Sequence, residues 1–196
     1  MLVNEILNKV VESKASAICQ DIELDQQALS YLNPEVNTVD FLNTLIDLKL
    51  YPDAVKFLAR ALPKREAVWW ACISARSAIS ENADPLVLQA LLAAEQWVYQ
   101  QHEDLRRQAN TAAYAAIFAH PASWAAMAAF WSQGSMVAAD LPAVPPADNL
   151  TAKAVAGAVM LSAVAKQADK INDRYIFFLK QGIEIGKGGN GQILQD

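Results

Sequence analysis

Apolar residues recur at spacings of three and four along most of the chain and nowhere alternate with period two, so the pattern predicts helices and no strands. Val3, Ile6, Leu7, Val10, Val11, Ala15 and Ile18 predict an amphipathic helix to about Cys19. A shorter helix follows Asp25 through Leu32, until Asn33-Pro34 breaks the chain. Thr38 is placed to cap a helix with the stripe Val39, Leu42, Leu45, Ile46 and Leu50, and Pro52 suits the first turn of the next, through Val55, Phe57, Leu58 and Leu62. Pro63, Asp84-Pro85 and His120-Pro121 open three further helices: Lys64 to about Ile79, Pro85 to about Gln101, and Trp124 to Trp131. In each the proline stands where a missing N–H costs nothing. Asp104 starts another helix that runs to about Ala119.

The pattern changes twice after that. Gln133 to Asn149, with Gly134, Pro142, Pro145 and Pro146, cannot be helical and predicts an extended polyproline-type strap across the surface. Leu150 to Ala165 is then apolar on every face, with Lys153 near its start and Lys166 just beyond it, and Asn149 or Thr151 is placed to cap it. It is shorter than the roughly 20 apolar residues of a membrane span. It therefore predicts a rod through the middle of a bundle, its alanines and Gly157 letting neighbours approach closely. A last helix, about Lys170 to Ile185, precedes a glycine-rich run, Gly186 to Gly191, that should fray.

The resulting expectation is an all-α fold: a globular multi-helix bundle of about eight to nine helices with a Pro-rich strap. It forms one domain over 1–196, with 1–33 open to being an N-terminal helical subdomain and 186–196 a mobile tail. No self-similarity at solenoid periods supports a repeat array.

Composition agrees: 54% of the 196 residues are hydrophobic, above the roughly 45–50% of ordinary globular chains, and much of the excess is alanine. The formal charge of -5 supplies no overall basic field for nucleic acid or an anionic membrane. Only Cys19 and Cys72 occur, which predicts two reduced thiols and no disulfide framework. Met1 to Lys9 has Glu5 and Asn8 where a secretory signal has a basic start and an apolar core, so the expected location is cytoplasmic.

Candidate chemistry is sparse. Two histidines, His102 and His120, and neither H-x-x-x-H nor C-x-x-C, predict no metal and no cofactor. No acid–base pair or activated nucleophile is evident, so no catalytic residue is predicted. The glycine-rich run follows a helix, not a strand, and is therefore no phosphate loop. One cluster does require explanation: on the Lys64–Ile79 helix, Arg65, Trp69, Cys72 and Arg76 share a narrow sector. Either the arginine stems cover apolar surface and pair with carboxylates, or the guanidiniums form an anion clamp. Glu95, in the apolar arc of the following helix, is the expected partner of Arg65 or Arg76, in a pair whose rupture would cost a few kcal/mol. Trp70 points with Ser74 and Ser77 to another side, either under a different helix or exposed to a protein partner. Trp124 and Trp131, two turns apart, either pack in the core or line a groove.

Pro63-Lys64-Arg65-Glu66-Ala67-Val68-Trp69-Trp70-Ala71-Cys72, Ala94-Glu95-Gln96-Trp97-Val98, Ser123-Trp124-Ala125-Ala126-Met127-Ala128-Ala129-Phe130-Trp131 and Leu150-Thr151-Ala152-Lys153-Ala154-Val155-Ala156-Gly157-Ala158-Val159, with the Pro145-Pro146 strap and Gly182-Ile183-Glu184-Ile185-Gly186, form a distinctive set. From about residue 40 onward the chain resembles an uncharacterised helical family of proteobacterial proteins often associated with type VI secretion gene clusters. That resemblance implies an accessory or adaptor role near a secretion apparatus and brings no catalytic residues. The reading that follows is a non-enzymatic protein-interaction module that holds a secretion-system component or effector through the strap, Trp70 and the tail. The alternatives are a small-ligand or anion binder, or an enzyme, with a pocket near Arg65, Arg76 and Glu95, and an immunity protein to a secreted toxin.

Overall fold

In the computed structural model, which describes residues 2–3, 7–10 and 12–193, these residues hold ten α-helices and no strand. Two are short, α1 (Ala15–Ile18) and α2 (Gln26–Leu29). The rest are α3 (Thr38–Asp47), α4 (Tyr51–Ala61), α5 (Lys64–Ala78), α6 (Pro85–Gln100), α7 (Glu103–Ala115), α8 (Pro121–Phe130), α9 (Leu150–Val164) and α10 (Ile171–Lys187). No helix among them is long and apolar enough to cross a membrane.

The proline-marked starts hold. Asp84 accepts a hydrogen bond from the Leu86 N–H at the head of α6, and His120 Nδ1 accepts one from Ala122 at the head of α8. Burial keeps the His120 pKa below its ordinary 6.5, which preserves the neutral ring as an acceptor at neutral pH. Asn37, not Thr38, caps α3, by accepting from the Asp40 N–H. Neither candidate caps α9. Asn149 instead donates to the Asp21 carbonyl and Thr151 to the Trp131 carbonyl, tying that end to its neighbours.

Helix α9 is the interior rod the pattern predicts. It packs on α4, α5, α8 and α10, and its Ala154, Val155, Ala158, Val159 and Ala163 are fully buried. The Gly157 backbone approaches the Trp124 ring so closely that a β-carbon there would lie 3.6 Å from it, which is ordinary contact distance. Packing of small side chains at native density lets the helix axes come near, and each lost methyl is then felt. Helices α6 and α7 pack on each other and on α8, forming the outer flank.

Two expectations fail at the N-terminus and in the strap. Residues 2–3, 7–10 and 12–14 are not helical; of the predicted stripe, Ile6 and Val11 lie outside the described residues. Val3 and Leu7 are buried all the same, because the arm runs irregularly over the bundle and is pinned by Asn43, whose side chain accepts from the Val3 N–H at 2.9 Å and donates to its carbonyl at 2.9 Å. A spacing of three and four marked burial there without marking a helix. The strap also departs from a simple extended run: Met136 N–H donates to the Val144 carbonyl, so 136–144 doubles back as a closed loop. Of the predicted tail, 194–196 lie outside the described residues, and 188–192 are hydrogen-bonded to the bundle. Gly191 N–H donates to the Glu184 carboxylate, and Gln181 and Trp69 donate to the carbonyls of Gly191 and Asn190.

Candidate functional site

The sector on α5 is real, and α6 closes it. Arg76 forms a forked pair with Glu95, Nε to Oε1 at 2.9 Å and Nη2 to Oε2 at 2.5 Å. Arg65 instead donates Nε to the Val98 carbonyl at 2.8 Å. Cys72 is buried between the arginines, and burial followed by the Glu95 carboxylate holds its thiol well above 9.0 against the pull of Arg76. It is a neutral packing residue at physiological pH. The Arg76 side chain is 53% exposed, so solvent screens the pair and its worth falls from the expected few kcal/mol to about 1 kcal/mol or less. Beside it, Arg65, Trp69, Tyr99, Lys9 and the 188–190 tail backbone line a cleft of about 410 Å³, with Trp69 and Tyr99 ring centroids 6.0 Å apart.

Trp70 is not a surface residue. It is 0% exposed, donates Nε1 to the Phe178 carbonyl at 2.8 Å, and packs on Gly182, where any β-carbon would lie 2.8 Å from its ring. Ser74 and Ser77 made that side look polar, but Ser77 returns its hydroxyl to the Ser74 carbonyl, so the face seats α10. The strap prolines stay outside: Pro145 is exposed and Pro146 half-buried. Trp124 packs inward, donating Nε1 to the Phe118 carbonyl.

The charged residue that organises the strap is one the pattern left aside. Arg106 on α7 is 0% exposed. Its guanidinium donates to the Phe130 carbonyl at 2.6 Å, the Ser135 carbonyl at 2.8 Å and both Glu103 oxygens, and lies 4.6 Å from the centre of the Phe130 ring. Arg107 adds a bond to the Val137 carbonyl. Hydrogen bonding from Arg106, then the charges of Arg106 and Arg107, hold the half-exposed Glu103 carboxyl below its ordinary 4.5 against a smaller cost of desolvation. The sequence signal was the spacing Arg106, Ala109, Ala113, which puts the arginine on the buried stripe.

What the outer flank leaves uncovered is an apolar stripe. Leu88, Leu92 and Tyr99 fall within about 40° on α6 at roughly 100° per residue, and they are 39%, 52% and 70% exposed. With α7, Leu88 and Leu92 border a groove of about 930 Å³, rimmed by Gln89, Gln96 and Gln108, whereas Tyr99 stands at the Arg65 cleft beside Trp69. Its two charged lining residues, Asp104 and Arg107, are of opposite sign. Near its end stands Ile117, 73% exposed and at φ +49, a backbone conformation that β-branched residues avoid. No group of His, Cys, Asp or Glu among the described residues is arranged to hold a metal ion.

The model of a family of unknown function (DUF6931) matches residues 41–186. No curated protein and no solved structure matches the chain.

Proposed function

Because the chain belongs to this family of unknown function, DUF6931, we propose its role from surface chemistry: it is a non-enzymatic protein-interaction module whose α6–α7 groove receives an amphipathic helix of a protein partner. One observation carries the reading. Leu88 and Leu92 are aligned outward beside a neutral groove, on a helix whose opposite side is fully packed, and Tyr99 continues their stripe toward the Arg65 cleft. Apolar residues at i, i+4 and i+11 with amide side chains alongside match the ridge that a partner helix fits. The partner class suggested by the type VI secretion resemblance is a component or effector of that apparatus, and toxin immunity is a special case of the same binding. The strap prolines Pro145 and Pro146 remain candidates for the edge of this surface, whereas Trp70 is withdrawn from it.

The ligand-pocket alternative is weakened at Arg76 and Glu95, which satisfy each other. It keeps only the cleft at Arg65. Purification from the native cell tests the proposal: a stoichiometric companion should accompany the wild-type chain. Leu92→Glu should weaken it by about tenfold to a hundredfold, from a buried-leucine contribution of about 1.5–3 kcal/mol, without lowering the melting temperature. A lone chain, or a companion indifferent to Leu92→Glu, would sink it; self-association lost in the variant would mean that the occupant is a second copy.

A further inference from the structure

Many cations around this acidic molecule are paired, Lys9 with Glu66, Lys56 with Asp53, Arg60 with Asp21, Lys64 with Asp148, and Lys153 with Glu23, while Lys49 stands alone among the described residues and Arg65 bonds a carbonyl. Three lysines unpaired among the described residues gather along the connection between α9 and α10 and as far as the middle of α10. Lys166, Lys170 and Lys180 are exposed, and none is paired with a described carboxylate, although the chain has 21 acidic residues for 16 basic ones. All three line one groove of about 740 Å³ together with Arg174, one carboxylate, Asp173, and the half-buried Ile176 and Phe177.

Arg174 has a separate task. Its Nε donates to the Ala163 carbonyl at 2.6 Å and its Nη2 to the Gln167 carbonyl at 2.6 Å, closing the C-terminal end of α9 and fixing the loop that bears Lys166. The guanidinium fork is thereby occupied. What faces a ligand is a set of flexible ammonium points over an apolar floor, on which Phe177 packs against Phe178 with ring centroids 5.7 Å apart.

We propose that this groove binds an acidic, partly apolar peptide segment of a protein partner. A compact phosphate is held best by a planar fork or converging backbone N–H groups, and the one fork here is spent on carbonyls. Spaced lysines suit carboxylates distributed along a chain, and the Ile176–Phe177 floor takes an apolar side chain between them. A nucleic acid needs a longer run of phosphate contacts than three lysines interrupted by Asp173 supply. The site is built from α9 and α10, not from the α6–α7 groove, so either can fail alone.

Fluorescence anisotropy on the full chain tests it, with a fluorescein-labelled peptide of glutamate and leucine residues as probe. The wild-type protein should bind at low ionic strength and progressively less as salt is added. The version with glutamine in place of glutamate should not bind. Lys170→Glu with Lys180→Glu should lose at least about tenfold in affinity, and the paired Lys→Gln changes less. Both lysines are exposed, so circular dichroism and melting should match wild type. Leu92→Glu should leave this binding unchanged. No binding by wild type at low salt, full binding by the reversed-charge variant, or an equally tight single-stranded oligonucleotide with the same lysine dependence would each overturn the proposal.

Discussion

Two arginine–glutamate pairs hold two junctions of this molecule, and they are worth very different amounts. Arg106 pairs with Glu103 within α7 and itself reaches the strap at the Ser135 carbonyl, and Arg76 and Glu95 join α5 to α6. Both are forked and short. Arg106, however, is sealed from water and also serves the Phe130 and Ser135 carbonyls, while Arg76 is more than half exposed and serves only Glu95. A hydrogen-bonding group gains importance from the partners it would strand in the dry interior, not from the tidiness of its geometry. Removing Arg106 strands backbone carbonyls, whereas removing Arg76, itself more than half exposed, opens the 13% exposed Glu95 carboxylate to water.

Breaking the buried junction should have the largest effect. Arg106→Leu is expected to lower unfolding free energy by about 3–5 kcal/mol in urea titrations and to make the strap an early site of proteolysis. A midpoint equal to wild type would remove the basis of the comparison. Next comes Gly134→Ala, since a β-carbon there would sit 2.9 Å from the Arg106 Nε and the residue holds φ +69. A loss of about 1–3 kcal/mol should appear in the same titrations, and Arg106→Leu should shrink it by relieving the clash. Arg76→Ala should cost only about 0.2–1 kcal/mol and respond to added salt, which a double-mutant cycle with Glu95→Ala can isolate.

The smallest expected effect lies in acid. Glu103 titrates below 4.5 in the fold, so its contribution is present in full above that value and fades as pH falls through the lowered pKa. Melting temperatures followed downward from pH 5 should therefore drop less steeply in Glu103→Gln than in wild type. Parallel curves would show that Arg106 is held by carbonyls alone.

Much of the architecture was legible because prolines and apolar periodicity report local facts. Pro85 and Pro121 marked helix starts, and Leu150 to Ala165 announced an interior rod because no face of it could meet water. That Glu95 takes an arginine of α5 was legible for the same reason, a carboxylate among leucines needing a cation nearby, but the choice of Arg76 over Arg65 was not. The failures share a cause too. Ser74 and Ser77 gave the Trp70 side a polar look, because composition does not reveal that Ser77 bonds back to its own helix or that the Ser74 hydroxyl is buried without a partner among the described residues. Arg106 was passed over because a charged residue reads as a surface residue until the carbonyls that receive it are known, and those come from α8 and the strap, 24 and 29 residues away. The N-terminal arm shows the limit of periodicity: Val3 and Leu7 are buried one by one against other elements, and Asn43 supplies the backbone partners that a helix would have supplied.

Neighbouring indoles on α5 hand the experimenter a pair of optical reporters. Trp70 is dry, bonded to a carbonyl of α10 and wedged on Gly182, so its emission should lie to the blue and redden when α10 lifts away. Trp69 grips the Asn190 carbonyl near the surface and should respond when the tail is displaced. The emission lost when either is replaced by phenylalanine, read against Trp97, Trp124 and Trp131, isolates its signal, which lets loosening of the terminal segment be timed separately from collapse of the whole.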